Sequence, residues 1–398
     1  MKRITTLMVG VGGYGEVYLN ELMNAERAKK FQLVGAVDPY ADRSEYKEQL
    51  VKRGIPIYNS LEEFYRENEV ELAIVSTPIH VHANQSIYCM QHGSHVLCEK
   101  PICATLEDAN AMIETEKATG KKLAIGFQWS FSESIIKMKQ DILDGVYGHI
   151  KRIKTLVCFP RNLDYYSRGN GWGGKRYLDS GECILDSVAS NAAAHYLHNM
   201  FFLTGNDIDK STKLKYIMAE VYRANPIEMF DTCALRVINE HGTEILFYAT
   251  HAIPYEDLQL PILVVEGEKG TITLQGDEGV EDVQGVLNDG RKIYYDSPSV
   301  DHLRKLYDIA EAIEKDTRLT CTAKTVLTHL QCICNLDDSF SSIPEFSPQY
   351  IHYDEAKRQY FCVNLKETLY DCWKDGKLPF EKNVPWAKSP HEIIVEDI

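Results

Sequence analysis

Gly10-Val11-Gly12-Gly13-Tyr14-Gly15 stands between an apolar run, Ile4–Val9, and a stretch with helical periodicity, Glu16–Ala28. The order strand, glycine turn, helix is what a dinucleotide-binding βαβ unit requires. Gly10 would make the tight turn, Gly12 would let the backbone approach a pyrophosphate, and Gly15 would let helix and strand pack closely. Gly13 and Tyr14 complete the loop, and the helix that follows points unpaired N–H groups and a positive dipole end at phosphate. Phe31–Val37 reads as the next strand. Asp38 closes it, at the spacing of a carboxylate that accepts from adenosine ribose hydroxyls. A carboxylate there repels a 2′-phosphate and favours NAD over NADP, a preference that the nearby Arg43 softens.

The same alternation continues outward. A helix is expected around Arg43–Arg53, a strand at Leu72–Ser76, and a helix from His82 to His92. Strands at His95–Cys98 and Leu123–Phe127 flank the helix Leu106–Thr119. Strands alternating with such helices predict a doubly wound parallel sheet, an α/β Rossmann domain over residues 1–130. From about Gly145 the texture changes. Ile150–Phe159, Tyr216–Arg223, Thr232–Asn239, Glu244–His251 and Leu263–Gly267 are β-rich with few helices between them. That pattern suits an antiparallel sheet in a second, α+β domain over 131–398. Helical stretches return at His302–Lys315, Ala323–Asp338 and Arg358–Asp375, and these late helices could pack back on the first domain.

A chain of 398 residues fits two or three domains at about 150 residues each. Asp and Glu, 58 together, outnumber the 43 Lys and Arg, a net charge of −15 that disfavours nucleic acid and anionic membrane surfaces as partners. With 44% hydrophobic and 25% charged residues, disordered and fibrous classes are excluded. The 11 cysteines are odd in number, scattered, and preceded by no secretory segment, which reads as reduced thiols in a cytoplasm. Cys332-Ile333-Cys334 lacks a second pair at metal-ligand spacing, so no metal is expected. The longest apolar stretch, Ala192–Leu203, carries His195, His198 and Asn199 and falls short of the roughly 18 residues of a membrane span.

Two segments suggest chemistry. Ser76-Thr77-Pro78 and Glu99-Lys100-Pro101 both lie at carboxyl ends of parallel strands, where open α/β sheets bind ligands. Lys100 there could polarise a substrate oxygen. On spacing alone, a salt-bridged surface lysine is an equal reading.

Taken together, Gly10–Gly15, Thr77-Pro78 with His82, and Gly93-Ser94-His95-Val96 running into Glu99-Lys100-Pro101 resemble the glucose–fructose oxidoreductase / inositol dehydrogenase family, Gfo/Idh/MocA. The resemblance is close over the first 130 residues and loose beyond. It implies a Rossmann domain paired with a domain built on a large open, mostly antiparallel sheet that often mediates oligomerisation. It also implies oxidation of a sugar or polyol hydroxyl with NAD(H) or NADP(H), and a cis Lys100–Pro101 peptide. The family carries an Asp-x-x-x-His pair in the second domain, and two stretches compete for it. Asp179-Ser180-Gly181-Glu182-Cys183 has the aspartate but a cysteine for the histidine, whereas Asn191-Ala192-Ala193-Ala194-His195 has the histidine but an asparagine for the aspartate. The second fits the family's downstream register, because Tyr196–Leu203 forms the apolar run that stops at Thr204-Gly205. On a helix, Asn191 and His195 would share a face with His198 near it. Neutral Asn191 can orient an imidazole but cannot stabilise an imidazolium, so Asp186 or Glu182 would have to supply that charge. Ile79 is a second departure, standing where the family often has asparagine.

The resulting reading is an NAD-dependent oxidoreductase acting on a secondary alcohol of a sugar, polyol or glycoside. Gly10, Gly12, Gly13, Tyr14, Gly15 and Asp38 hold the cofactor, with Thr77, Pro78, His82, Glu99 and Lys100 bordering it. His195 takes the hydroxyl proton, helped by Asn191, and Lys100 stabilises the developing alkoxide. Gln128, Trp172, Asp186, Asn191, Lys100 and His195 are the expected substrate contacts. Arg161, Tyr165, Tyr166, Arg168 and Lys175 crowd the loop around Trp172, as a pocket wall or as a solvated or oligomer-facing loop. Glu228, Asp231 and His251 are weaker candidates, and Cys183 reads as an inert thiol. A homodimer or homotetramer is expected. The competing functions are an NAD-recycling glycoside-processing enzyme without net redox change and a non-catalytic NAD or sugar sensor.

Overall fold

The computed structural model describes residues 3–277 and 280–396. The chain divides into two compact units. The first comprises Met1–Phe131 with His302–Leu327, and the second Ser132–Asp301 with Thr328–Ile398. The segment His302–Leu327 thus groups with the first unit although it lies within the run 131–398.

In the first unit the strands β1 (Ile4–Val9), β2 (Phe31–Val37), β3 (Ile57–Tyr58), β4 (Leu72–Val75), β5 (His95–Cys98) and β6 (Leu123–Ile125) form one sheet in the order β3-β2-β1-β4-β5-β6. All neighbours are parallel. β4 is buried along its whole length, as a strand covered on both faces must be. The connecting helices are α1 (Gly15–Asn24), α2 (Lys47–Lys52), α3 (Leu61–Tyr65), α4 (His82–Gln91) and α5 (Leu106–Thr119). Thr105 caps α5 by accepting from the Asp108 amide, and Gly120 ends it at φ +66°. The order reverses beside β1, so the carboxyl ends of β1 and β4 form the crevice where such sheets bind ligands. The helix expected over Glu16–Ala28 stops at Asn24, and the one around Arg43–Arg53 shrinks to α2, because tight turns occupy Glu26–Lys30 and Ala41–Arg43.

The second unit holds a nine-stranded sheet. Its strands are β7 (Ile150–Cys158), β8 (Leu214–Tyr222), β9 (Thr232–Asn239), β10 (Glu244–Thr250), β11 (Gln259–Gly267), β12 (Gly270–Asp277), β13 (Val280–Leu287), β14 (Lys292–Tyr295) and, after a separate hairpin of β15 (Ile351–Asp354) and β16 (Gln359–Cys362), β17 (His391–Ile394). The order is β14-β13-β12-β11-β7-β10-β9-β8-β17, antiparallel throughout except for the pair β7 and β10. One face packs Leu156, Leu246 and Tyr248 against Leu365, Leu369 and Cys372 of the helix Leu365–Asp375. That helix was expected to begin at Arg358. Instead Gln359–Cys362 pairs as β16, and Asn364 at φ +58° turns the chain into the helix. The eleven cysteines are free thiols. Among the described residues no helix is long and apolar enough to cross a membrane.

Candidate functional site

In the first unit the glycine loop divides its glycines between packing and openness. Gly10 turns the chain at φ +85°, and its N–H donates to the Val37 carbonyl at 2.9 Å. A Cβ on Gly15 would lie 2.3 Å from the Gly10 carbonyl oxygen, so helix and strand meet there only without a side chain. Gly12 and Gly13 meet nothing within 4 Å. Their open side, next to the start of α1, is a cradle that side chains would fill, and it fits a bound pyrophosphate. Asp38 is half-buried. Its Oδ2 accepts from the Val11 amide at 2.9 Å and its Oδ1 from the Tyr40 amide at 2.7 Å. The carboxylate therefore braces the loop, and each oxygen keeps a second lone pair for a ribose hydroxyl. Arg43 lies over the Tyr40 ring at 4.9 Å. Asp38 also lines a cavity of 530 Å³ with Asp42, Lys47 and Asn59.

Two of the expected cofactor neighbours are held by contacts within the first unit. His82 is 1% exposed, with Nδ1 2.8 Å from the Pro101 carbonyl oxygen and Nε2 2.7 Å from that of Thr77. Both ring nitrogens are thus engaged by backbone, and His82 ties the Thr77-Pro78 turn to the loop after β5. Burial lowers its pKa against the pull of the two carbonyls. Thr77 Oγ1 donates to Gln85 at 2.6 Å, leaving the turn intact despite Ile79, which is buried.

Glu99 is likewise tied into the first unit. It is buried, and its Oε1 accepts from Tyr18 Oη at 2.6 Å and forms an ion pair with Lys305. Lys305 is itself fully buried, reaches the Gly126 carbonyl at 3.2 Å and lies over the Tyr14 ring at 4.7 Å. A Cβ on Gly126 would come within 2.8 Å of the Glu99 carboxylate. Burial works against the Glu99 charge, but Lys305, Tyr18 and Lys100 outweigh it and hold the carboxyl below its usual range. Glu99 is therefore a buried foundation for the backbone at Lys100. Its Oε2 accepts from the Lys100 amide at 3.2 Å, which fixes the backbone of Lys100, and the Lys100–Pro101 peptide is cis. Gln128 accepts from Tyr14 Oη at 3.4 Å.

In the second unit Asn191 and His195 do not share one uninterrupted helix. Ser187 caps a wide turn, Val188–Ala192, that closes with the Ala193 amide donating to the Val188 carbonyl at 2.8 Å, and the helix Ala194–Leu203 begins after it. Asn191 Nδ2 donates to Asp186 Oδ1 at 2.8 Å, while Asp186 Oδ2 accepts from the Gly174 amide at 2.7 Å and lies 3.4 Å from Arg168. Arg168 is held between two rings, 3.7 Å from the centroid of Tyr165 and 4.2 Å from that of Trp172. The structure thus joins Trp172, Asp186 and Asn191 in one network, with one face of Trp172 already covered by arginine. His198 is buried beside Phe202 and His329, and burial followed by His329 and Lys139 holds its pKa well below the usual range, as in a core histidine. Asp231 accepts from the Ala224 and Asn225 amides and is fully buried, a structural role.

Sequence reasoning did not find Lys305, Tyr18 or Gly126. The signal was present for Lys305, which shares the apolar helix face of Ile309 and Ala312.

The sequence model of an oxidoreductase family with an NAD-binding Rossmann fold, Gfo/Idh/MocA, matches residues 4–127. Over 216 residues the chain is 30% identical to a 1-carboxy-3-chloro-3,4-dihydroxycyclohexa-1,5-diene dehydrogenase of Comamonas testosteroni, covering 52% of this chain and 50% of that protein. Over 200 residues it is 27% identical to a 2,7-anhydro-N-acetylneuraminate hydratase of Mediterraneibacter gnavus, covering 50% and 48%. The chain spans about half the length of the curated relatives it matches. The solved WlbA dehydrogenase of Bordetella pertussis, in complex with NADH and UDP-GlcNAcA, covers 84% of this chain and 95% of its own at a TM-score of 0.66 and 21% identity, a likeness of fold.

Proposed function

Through residues 4–127 the chain belongs to the Gfo/Idh/MocA oxidoreductase family, and on that premise we propose that it is an NAD-dependent dehydrogenase of a secondary alcohol on a sugar, polyol or glycoside. The observation that carries the reading is Lys100, held by its amide on buried Glu99 at the carboxyl end of β5, in the unit that has the open glycine cradle. Gly12, Gly13 and Asp38 would hold NAD, which supplies the hydride acceptor. His195 accepts the hydroxyl proton, and Lys100 stabilises the negative charge that grows on the substrate oxygen. Asn191, fixed by Asp186, orients polar groups beside His195. The two curated relatives are named for hydroxylated ring compounds, which supports that substrate class.

A second reading has support from the relative named a hydratase: NAD is regenerated within each cycle and no net oxidation occurs. A panel of polyols, sugars and aryl glycosides, followed for NADH and for products, separates the two. The dehydrogenase accumulates NADH, and Lys100→Met abolishes it while calorimetry still records NAD binding. Product formed without NADH would favour the second reading, and near-normal turnover of Lys100→Met would remove Lys100 from the chemistry.

A further inference from the structure

We propose that the substrate carries a carboxylate, recognised by the guanidinium groups of Arg161 and Arg168; the inference rests on the dehydrogenase reading and names its substrate class. Arg161 follows β7 and is fixed by its amide, which donates to the His251 carbonyl at 3.2 Å. Its guanidinium lies 4.8 Å from the Tyr165 centroid and 5.8 Å from that of Phe159, and Nη1 donates to the Pro160 carbonyl at 3.0 Å. Among the described residues no carboxylate pairs with it, and its Nε is buried with no hydrogen-bond partner. Arg168 stands on the other side of the account, stacked on the same Tyr165 and on Trp172, with its side chain 27% exposed. Among the described residues Asp186 is the carboxylate that pairs with it, and both Asp186 oxygens already accept from the shorter donors Gly174 and Asn191.

Two guanidinium groups therefore share one aromatic ring, and among the described residues one carboxylate, Asp186, pairs with them, itself held by Gly174 and Asn191. That local excess of cation occurs in a chain of net charge −15. A half-buried guanidinium without an anion is costly, and a bidentate carboxylate is the partner its fork fits best. The cluster adjoins the candidate site within the second unit. Phe159 meets Tyr196, the neighbour of His195, at 5.8 Å, and Asp186 binds Asn191. Stacking on three rings holds both arginines in place before an anion arrives, which lowers the ordering cost of binding.

Calorimetric titration of the NAD-loaded protein with D-glucuronate, D-galacturonate and D-gluconate, each against D-glucose, D-galactose and D-glucitol, tests the proposal. At least one acid is expected to bind tighter than its neutral counterpart by about tenfold or more, the scale of one charge-assisted pair. Arg161→Gln should erase that preference, and Arg161→Lys, which keeps the charge but loses the fork, should retain part of it; circular dichroism establishes that each variant is folded. No preference for any acid, a preference that survives in folded Arg161→Gln and Arg161→Lys alike, or tighter binding of D-glucose 6-phosphate than of every acid would overturn it. Acid-selective binding without NADH from any compound would instead overturn the dehydrogenase reading and leave the carboxylate site standing.

Discussion

Glu99 in the first unit and Asp186 in the second are both buried carboxylates, each beside a candidate residue of its own unit, and they are held by opposite means. Glu99 meets a fully buried ammonium, Lys305, and a phenol, Tyr18. Asp186 meets a backbone amide and the carboxamide of Asn191, with its nearest cation at 3.4 Å and stacked between two rings. In the first case the charge is answered where it is buried, and the carboxyl pKa falls. In the second the neutral donors do the orienting and the arginines are oriented by aromatic faces instead. A buried ion pair makes a rigid base for Lys100, whereas cations held by rings keep hydrogen-bonding capacity for a ligand.

Removing the first cation should have the largest effect. Lys305→Met leaves Glu99 buried without its counterion, a change that costs about 3–5 kcal/mol in such pairs. Urea unfolding of the wild type, Lys305→Met, Glu99→Gln and the double variant gives the coupling directly. The double variant, neutral at both positions, should recover most of the loss. If it is as unstable as Lys305→Met, the charge of Glu99 is not what Lys305 answers, and the contrast with Asp186 fails.

A smaller effect is expected from Asp186→Asn. The new carboxamide presents an N–H₂ group to the Gly174 amide or to Asn191 Nδ2, which are both donors, so one of the two hydrogen bonds is lost. A buried hydrogen bond of this kind is worth about 1–3 kcal/mol, or roughly five- to 150-fold. If Asp186 acts by fixing Asn191, the loss should fall on kcat more than on KM, and the variant's pH–rate profile should shift. A change in KM alone would mean that Asp186 serves the arginines and not Asn191.

The first unit was readable because its signals are local. A glycine loop needs its glycines in fixed order, and β4 and β5 are short apolar runs between turns, so their positions follow from the chain itself. Strands β12 to β14 were missed for the converse reason. Gly270, Gly276 and Gly285 interrupt β12 and β13, β14 is four residues long, and all three exist as strands through pairing along the sheet. Gly10, Gly15 and Asp38 could be placed at the turn and the strand end from spacing, whereas spacing alone left Lys100 open between a ligand-facing and a salt-bridged surface lysine. Lys305 could not, because its partner Glu99 lies 206 residues away in sequence and one lysine on an apolar helix face does not say what it meets. The break between Asn191 and His195 was equally hidden, since the Ser187–Ser190 cap that opens the wide turn before it looks like an ordinary turn signal.

Glu220 carries the contrast to its limit, for it is a buried carboxylate that pairs with no cation among the described residues. It lies on β8, 2% exposed, and accepts from Tyr222 Oη at 2.6 Å and from the Phe380 amide at 2.9 Å. Burial outweighs both donors and pushes its pKa up to about 7, with Glu381 adding to the rise. The folded state therefore keeps a proton that the unfolded chain, with an ordinary glutamate near 4.3, has released. The stability this contributes is complete below that unfolded value and is lost as pH rises through about 7. Glu220→Gln stays neutral throughout, so the difference in unfolding free energy between wild type and variant should change across pH 5 to 8 by on the order of 2 kcal/mol, the wild type losing ground toward pH 8. Taking the difference cancels the other titrating groups common to both. Parallel pH curves would mean that neutral donors suffice to keep a buried carboxylate ionised in this protein. Lys305 would then be unnecessary to the charge of Glu99, and its burial would need another cause.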